Sequence, residues 1–244
     1  AKNDGVGGIK FRPLTDDCPK TLLTVGDATI LGRMLHHVQS CGIVDVVVVL
    51  GYLHEQIEAF LDEHFADLDV RIVVNERFEE TNTGYSLMLA ADFVGSSGFV
   101  KFDGDVVFDP DILRRLLALP DGNHLCIDRN IQLDAEEVKV ALSTGNRVAL
   151  VSKTLRPSEA IGESIGIERI DAETGHRLFR ELRTMMSDAD GLQEYYEGAY
   201  ERLIADGVAF EALDITGLDW TEIDTRHDFD TAQRLFGCEQ DQSQ

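Results

Sequence analysis

Short runs of β-branched apolar residues alternate with helix-patterned stretches through the first half of the chain. The pattern predicts strands at residues 44–50, 70–74 and 98–107, and helices at residues 31–40, 54–64, 86–92 and 109–119. Because parallel strands need long crossover connections, a regular alternation of strand and helix favours parallel pairing. We therefore predict an α/β fold with a doubly wound, mostly parallel, Rossmann-like sheet.

The second half of the sequence mixes the two element types less regularly. It predicts strands at residues 125–128, 138–142, 147–152 and 210–214, and helices at residues 172–186, 192–206 and 225–236. The turn-forming residues 143–146 (STGN) separate two of these strands and indicate a β-hairpin, hence a small antiparallel extension of the sheet. Since the sequence contains no internal repeat and no Gly/Ser linker, residues 1–238 are interpreted as a single domain, followed by a polar tail at 239–244.

The composition is that of a globular protein and argues against several other classes. Of the 244 residues, 43% are hydrophobic, which is enough for a sizeable core. No run approaches the roughly 18 apolar residues of a membrane span, and the first residues lack the apolar segment of a signal peptide. The four cysteines have neither metal-binding nor disulfide-type spacing. We expect a cytoplasmic protein with no membrane segment.

The net charge limits the possible partners. A formal charge of −23 repels nucleic acid and anionic membranes, so neither is expected as a partner. An anionic ligand must then be held by a local group of cations or through a metal. Only six lysines occur among the 22 basic residues, which makes each lysine a stronger candidate for a functional role.

A glycine cluster followed by a cationic loop opens the sequence. Gly7 and Gly8 would let backbone N–H groups approach anionic oxygens, and Lys10 and Lys20, on either side of a polar loop, could neutralise a polyphosphate. An ordinary surface loop with Pro and Asp turn chemistry is the alternative. No apolar run precedes the glycines, although a doubly wound sheet normally opens with a buried strand there.

Two acidic segments, FDGDVVF and WTEID, fall at predicted strand ends, where open α/β sheets bind ligands. The first supplies Asp103 and Asp105, which would point to the same side of an extended chain, and the second supplies Glu222 and Asp224. If the segments meet, Asp105 and Asp224 suffice to hold Mg²⁺. The alternatives are an Asp- and Gly-rich turn at the first segment, and a helix cap by Asp224 and Thr225 at the second.

The segment NTGYS is a candidate for binding a nucleotide base. Asn82, Gly84 and Ser86 form a small-residue entry to a predicted helix. A flat base could lie against the glycine while neighbouring side-chain or backbone groups contact its edge. An ordinary helix N-cap is the alternative for the same residues.

Two lysines and a glutamate are candidates for binding a second substrate. Lys139 and Lys153 lie on the two strands of the hairpin, each flanked by alternating apolar residues. A lysine on a strand usually faces solvent, but the scarcity of lysine in this chain favours a functional role for both. Glu163, in a segment interpreted as a loop (GESIG), would be a polar partner for a substrate head group.

Together these segments resemble the sugar-phosphate nucleotidylyltransferase superfamily, and within it the cytidylyltransferases acting on phosphocholine or inositol 1-phosphate. The similarity runs over nearly the whole chain and is carried, in order, by KFRPLTDDCPKTLL, NTGYSLMLA, FDGDVVF, EEVKV, VSKTL, GESIGI and WTEIDTRHDF. It implies a nucleotide-diphospho-sugar transferase type of fold, CTP as a substrate and Mg²⁺ as cofactor.

The resemblance also implies roles, position by position. Lys20 matches the lysine that contacts the nucleotide α-phosphate and stabilises charge in the transition state. Lys10 stands in place of the family's arginine, also in a catalytic position, and Val6 in place of its first glycine. Asp105 and Asp224 match the magnesium ligands. Gly8 matches the second glycine of the family's loop, Asn82, Gly84 and Ser86 match its base-binding segment, and Lys153 and Glu163 fall in the region that receives the acceptor. Gly7 and Asp103 are further nucleotide-binding candidates, and Lys139 and Trp220 are further acceptor-binding candidates.

The implied reaction is attack of a phosphomonoester or phosphonate oxygen on the α-phosphorus of CTP, with release of pyrophosphate. Choline recognition would need an aromatic cage, for which Trp220 and the tyrosines at 195, 196 and 200 are candidates, although core packing is the alternative for the tyrosines. Two other functions stay open. One is a hexose 1-phosphate nucleotidylyltransferase using UTP, GTP or dTTP; the other, suggested by the altered glycine loop, is a catalytically weakened nucleotide-binding regulatory module. The oligomeric state is open.

Overall fold

A mixed sheet flanked by helices forms the centre of the molecule in the computed structural model, which describes residues 15–94, 97–130, 133 and 137–237. The strands are β1 (Thr24–Val25), β2 (Ala28–Thr29), β3 (Asp45–Leu50), β4 (Asp69–Val74), β5 (Phe99–Phe102), β6 (Val106–Phe108), β7 (Asn123–Asp128), β8 (Lys139–Leu142), β9 (Val148–Ser152), β10 (Gly162–Ile170), β11 (Phe210–Asp214) and β12 (Trp220–Glu222). The helices are α1 (Ile30–Ser40), α2 (His54–His64), α3 (Thr83–Leu89), α4 (Ala91–Val94), α5 (Pro110–Ala118), α6 (Ala172–Met185), α7 (Glu197–Ala205) and α8 (Arg226–Phe236). Short 3₁₀ turns occur at Lys20–Leu22, Pro157–Glu159 and Gly191–Gln193.

The long strand β10 organises the largest sheet, whose order is β11-β7-β10-β8-β9. Its first residues pair with β8 and its last residues with β5, while β7 lies along its other side. The change of partner coincides with an irregularity between Ser164 and Glu168, where Gly166 has a φ of +73°. A β-bulge of this kind bends a strand and redirects its side chains. β10 therefore pairs along one side with two different strands, β8 and β5.

Helices cover both faces of this sheet, as the side chains of β7 illustrate. Leu125 and Ile127 belong to a core shared with α6 and α7, whereas Cys126, between them, belongs to a core shared with α1 and α5. Alternate residues of a strand point to opposite faces, so β7 is buried on both sides. Smaller ladders join β3 to β4 in parallel and β6 to β12 in antiparallel orientation.

The predicted α/β class with a Rossmann-like sheet and an antiparallel hairpin is confirmed. The sheet is mixed and not mostly parallel: among the described strands, β3 pairs with β4 and β7 with β11 in parallel, and the other ladders are antiparallel. The predicted hairpin around residues 143–146 is the β8–β9 ladder. The strand predicted at 98–107 is wrong in one respect, because a turn at residues 103–105 divides it into β5 and β6. The helix predicted at 192–206 is shorter, since a 3₁₀ turn and an extended residue precede α7.

The largest correction concerns Glu163, which lies on β10 and not in a loop. The segment GESIGIERI interrupts its apolar alternation with charged residues and a glycine, so the pattern conceals a nine-residue strand. Its two glutamates, Glu163 and Glu168, are buried, as described below. Among the described residues, no helix is both long enough and apolar enough to cross a membrane.

Candidate active site

Three carboxylates meet where the β6–β12 ladder begins and ends. Asp105 directly precedes β6, and Asp224 follows β12 by two residues. Glu222 is paired with Val106, and the N–H of Ile223 donates to the carbonyl oxygen of Asp105 at 3.0 Å. Antiparallel pairing thus brings the start of one strand beside the end of the other. Asp105, Glu222 and Asp224, here called the acidic triad, each offer an oxygen within 4.8 Å of the others.

The ammonium group of Lys20 lies against this triad. Lys20 Nζ is 2.6 Å from Asp105 Oδ2 and 3.0 Å from Asp224 Oδ1, and its side chain is only 10% exposed. Lys20 begins the 3₁₀ turn at residues 20–22, in which Thr21 approaches Gly104, so the turn packs against the bend that carries Asp105. The structure brings together three residues that lie 85 and more positions apart in the sequence.

Electrostatics reinforce this arrangement. Burial lowers the pKa of Lys20, but the charges of Asp105 and Asp224 and their hydrogen bonds to the ammonium outweigh it, so the net shift is upward. Loss of solvation, followed by the charges of Asp105 and Asp224, raises the pKa of Glu222. Lys20 therefore stays cationic, and the triad favours any further positive charge that reaches it.

The acidic triad has the chemistry of a site for Mg²⁺. Magnesium takes hard oxygen ligands, typically one or two protein carboxylates completed by phosphate oxygens and water. Asp105 and Asp224, the two residues predicted to bind it, both belong to the triad, and Glu222 adds a third carboxylate. The donor set fits the ion, and its binding stays a prediction.

Asp103 does not point with Asp105, contrary to the extended conformation expected for the segment. Because the chain turns at residues 103–105, the two carboxylates have separate partners. Asp103 accepts a hydrogen bond from Tyr196 Oη at 2.9 Å and pairs with Lys101 Nζ at 2.8 Å. Its backbone N–H donates to the carbonyl of Gly166 at 2.8 Å, which anchors the turn on the β10 bulge.

A buried polar network behind Asp103 was not anticipated from the sequence. Lys101 on β5 is paired with Glu168 on β10, their charged atoms being 3.3 Å apart. The Lys101 ammonium lies 3.5 Å from the ring centroid of Tyr196. Burial raises the pKa of Glu168 to about 8 and that of Glu197 to about 7, and Lys101 opposes both shifts. A signal did exist for Lys101, since it interrupts the strand-like run FVKF, which is otherwise apolar.

A row of polar residues crosses four neighbouring strands. In the ladder registers Asp128 is opposite Glu163, Glu163 is opposite Lys139, and Lys139 is opposite Ser152. Directly opposed residues in antiparallel ladders point to the same face, so these four, here called the polar row, line one surface. Lys139 is 1% exposed, which rules out the solvent-facing alternative for it.

Glu163 is the most unusual member of the polar row. It is 6% exposed, and among the described residues its Oε2 has no hydrogen-bond partner. Burial, followed by the charges of Glu137 and Asp128, raises its pKa to about 8, while Lys139 and Lys153 oppose the rise. A buried carboxyl with a spare oxygen can accept a hydrogen bond from a ligand.

The other acceptor-binding candidates surround this row. Trp220 donates from its indole nitrogen to Asp128 at 2.9 Å, and Lys153, directly after β9, lies 4.5 Å from the ring centroid of Tyr195. Tyr196 and Tyr200, in contrast, are buried in the core with α6 and α7. Packing is thus the correct explanation for these two tyrosines, and an aromatic cage built from them is not present.

The base-binding candidates pack within the protein. Asn82 caps α3 by accepting from the N–H of Thr83, and its amide donates to the carbonyl of Gln193 at 3.2 Å. Ser86 accepts from Asn75 at 3.1 Å. A Cβ on Gly84 would lie 2.7 Å from the carbonyl oxygen of residue 194, so only glycine lets α3 approach that segment. The capping alternative is correct for Asn82, and contact with a base stays a prediction.

Gly7, Gly8 and Lys10, the phosphate-binding candidates of the glycine loop, lie outside the described residues.

Solved structures share this fold. CTP:phosphocholine cytidylyltransferase from Streptococcus pneumoniae superposes with a TM-score of 0.77 at 20% identity, covering 93% of this chain and 94% of that one. Such a level of identity supports the fold. This chain therefore shares its architecture with that enzyme.

The family assignment follows from the sequence match. A model of the MobA-like NTP transferase domain matches residues 14–154, more than half of the chain, and the protein belongs to that family. The matched residues include Lys20 and Asp105, whereas Asp224 lies beyond them.

Two curated relatives extend the similarity beyond the matched domain. The CMP-5′-(3-aminopropyl)phosphonate synthase of Streptomyces rubellomurinus is 29% identical over 230 residues, covering 92% of this chain and 36% of that protein. The bifunctional IPC transferase and DIPP synthase of Aquifex aeolicus is 24% identical over 236 residues, covering 95% of this chain and 50% of that protein. The chain therefore spans a third to a half of the length of these relatives.

Proposed function

We propose that this protein is a Mg²⁺-dependent cytidylyltransferase that transfers CMP from CTP to a small phosphomonoester or phosphonate and releases pyrophosphate. The observation that carries the proposal is the position of Lys20, whose ammonium lies within 3.0 Å of both Asp105 and Asp224. A lysine beside a cluster of carboxylates suits the binding of a nucleoside triphosphate, because the lysine can neutralise phosphate charge and the carboxylates can hold a metal ion.

The proposed reaction is an in-line displacement. An oxygen of the acceptor attacks the α-phosphorus of CTP, a new P–O bond forms, and the bond to the β-phosphate oxygen breaks, so that its electron pair leaves with pyrophosphate. A phosphomonoester or phosphonate is already anionic near neutral pH, so no general base is needed. Catalysis then consists of positioning and charge neutralisation, for which the site has suitable residues.

Each group in the site has a proposed role. Lys20 stabilises the negative charge that develops around the α-phosphate, and the acidic triad would hold Mg²⁺, which neutralises phosphate charge when bound. Lys139 and Lys153 attract the anionic end of the acceptor. Glu163 contacts its other end. Trp220, fixed by Asp128, borders the same surface.

CTP is the proposed nucleotide because of the relatives' names. One is called a CMP-phosphonate synthase, and the S. pneumoniae structure is a CTP:phosphocholine cytidylyltransferase. A phosphonate and a phosphomonoester present the same anionic head to the two lysines. The panel of acceptors must therefore include both.

The test is pyrophosphate release with Mg²⁺. CTP, UTP, GTP and dTTP are each combined with phosphocholine, inositol 1-phosphate, 2-aminoethylphosphonate and glucose 1-phosphate. We expect turnover with CTP and one of the first three acceptors. Lys20→Met should lower kcat by roughly a hundredfold or more, the usual loss when a charge-stabilising group is removed.

A charge-matched control separates catalysis from a general effect of charge. Arg114→Met removes a cation from an exposed ion pair on α5 and should leave turnover unchanged. Activity only with glucose 1-phosphate and another nucleotide would assign the protein to the hexose 1-phosphate enzymes. No pyrophosphate with any pair of substrates would contradict the proposal and favour the regulatory module.

A further inference from the structure

The Lys20 ammonium contacts the same two carboxylates that are predicted to hold a metal ion. It contacts one oxygen of each carboxylate, and those two residues supply two of the three oxygens of the acidic triad. An ammonium and a divalent cation repel each other strongly at contact distances, most of all where the surroundings exclude water. The Lys20 side chain is 10% exposed, so solvent screens this repulsion only in part.

We propose that Lys20 and the divalent cation compete for Asp105 and Asp224. In the free enzyme the ammonium holds the two carboxylates, and the cation binds with full affinity only when Lys20 has moved to another anionic partner. This inference rests on the proposed function in one respect only, namely that the partner which attracts Lys20 away is the phosphate chain of a nucleotide.

The local structure permits such a movement. Lys20 is the first residue of a three-residue 3₁₀ turn, not part of a sheet strand. Its compact ammonium group is attached to a flexible four-carbon stem. Rotation about the bonds of this stem lets the ammonium change partners without movement of the backbone. Asp105 and Asp224, in contrast, are fixed by the β6–β12 ladder and by the hydrogen bond from Ile223 to Asp105. The carboxylates stay in place while the lysine exchanges.

A rival arrangement makes the opposite prediction. Each carboxylate has two oxygens, so Lys20 could stay in place and orient Asp105 and Asp224 while the metal binds the remaining oxygens. In that case Lys20 would help metal binding, and its removal would weaken it. Under competition, removal of Lys20 strengthens metal binding. The sign of the effect decides between the two arrangements.

Competition also has a thermodynamic consequence. If a nucleotide draws Lys20 away from the carboxylates, nucleotide and metal must bind with positive coupling, and the coupling is carried by Lys20. A metal site that is held closed by a lysine would bind little free Mg²⁺ in the absence of nucleotide. The cation would then enter the site together with the triphosphate.

The experiment measures Mn²⁺ binding to the full chain by electron paramagnetic resonance, without nucleotide. Wild type, Lys20→Met and the charge-matched Arg114→Met are compared at one ionic strength. We expect Lys20→Met to bind Mn²⁺ roughly tenfold more tightly than wild type, because the removed cation no longer repels the ion, and Arg114→Met to bind like wild type. Equal or weaker binding by Lys20→Met overturns the proposal.

Two further variants keep the test decisive. The double variant with Lys20→Met and Asp105→Asn should lose the gained affinity, which places the gain at the acidic triad; an unchanged gain would contradict the assignment. Lys20→Arg keeps the charge and should bind Mn²⁺ as weakly as wild type.

If Lys20→Met does not fold, amine labelling of the wild-type protein replaces it. Saturating Mn²⁺ should increase the labelling of Lys20, and no increase would contradict competition.

This outcome is independent of turnover. A protein that binds Mn²⁺ more tightly without Lys20, yet releases no pyrophosphate with any substrate, retains the competition and loses the proposed function. A protein that turns over CTP while Lys20→Met binds Mn²⁺ no better retains the function and loses the competition.

Discussion

Glu163 has the least ordinary environment of any carboxyl in the polar row. It is buried between Asp128 and Lys139 on neighbouring strands, and burial raises its pKa to about 8. Folding therefore stabilises the protonated form. Since the unfolded value is near 4.5, this residue makes the free energy of unfolding depend on pH over the range between the two values.

The sign of this dependence gives a prediction. Below about pH 4.5 the carboxyl is protonated in both states; between about 4.5 and 8 only the unfolded chain releases the proton, so rising pH favours unfolding. Glu163→Gln lacks this contribution. The Tm of this variant, relative to that of wild type, should therefore be higher at pH 8.5 than at pH 5. The change corresponds to about 1–4 kcal/mol in the free energy of unfolding.

Thermal denaturation at both pH values measures this difference. The control is Glu79→Gln, at an exposed position, which should show the same difference from wild type at pH 5 and pH 8.5. A Glu163→Gln variant whose Tm difference stays constant over the range would show that the carboxyl ionises in the folded protein as it does in water.

At the scale of elements, the last helix is joined to the acidic triad by its own cap. The Thr225 side chain accepts from the N–H of Asp228, and Asp228 Oδ2 accepts from the N–H groups of Thr225 at 2.7 Å and Asp224 at 3.1 Å. This is a capping box with one additional bond. The carboxylate that stabilises the start of α8 also fixes the backbone of a predicted metal ligand.

Asp228→Ala should therefore have two effects. Loss of the hydrogen bonds that the Asp228 carboxylate accepts in the capping box should lower the free energy of unfolding by about 1 kcal/mol. Release of the Asp224 backbone should weaken Mn²⁺ binding several-fold. The matched control is Asp171→Ala, which removes the N-cap of α6, where the side chain accepts from Thr174 at 2.7 Å. It should cost similar stability without affecting Mn²⁺ binding. Equal Mn²⁺ affinity in the two variants would contradict a link between cap and metal site.

Elements whose pattern comes from their own residues could be predicted from the sequence. Helix α2 and strand β11 lie at the predicted positions because their apolar spacing is undisturbed. Strand β10 could not be recognised, since it buries Glu163 and Glu168, and burial of charges depends on partners such as Lys139 and Lys101 that lie far away in the sequence. Local sequence patterns cannot predict contacts with residues that lie far away in the sequence.

The same distinction holds for the candidate site. Lys20, Asp105 and Asp224 could be named from motifs, and the structure brings them together. The sequence could not predict that Tyr196, which also contacts Glu168, holds Asp103. This contact depends on the turn that separates Asp103 from Asp105.

At the scale of the whole molecule, an excess of acidic groups dominates the electrostatics. The chain has 45 acidic and 22 basic residues, a net charge of −23. Repulsion among so many like charges disfavours the compact state, and dissolved ions weaken it by screening. The protein should therefore be more stable in moderate salt than in dilute buffer.

Thermal denaturation in sodium chloride tests this directly. Raising the concentration from about 10 mM to about 150 mM should increase stability by on the order of 1 kcal/mol, or about 2–4 °C in Tm, as the screening length falls from about 30 Å to about 8 Å. Tetramethylammonium chloride at equal ionic strength is the control, with a chelator present throughout. A rise with sodium alone would indicate a bound ion, and a fall with both salts would contradict dominance of repulsion.

The polar row has a consequence for how this sheet can vary. Asp128, Glu163, Lys139 and Ser152 share a surface only because their strands are aligned in one register. A shift of β10 by a single residue would turn Glu163 toward the apolar core on the opposite face and bring Gly162 or Ser164 into its place, so the row would lose its central carboxyl group. Insertions or deletions in the connections on either side of β10 are thus tolerable only where they leave its alignment intact. The pairing that holds the sheet together and the composition of the polar row are, at this point, one and the same constraint.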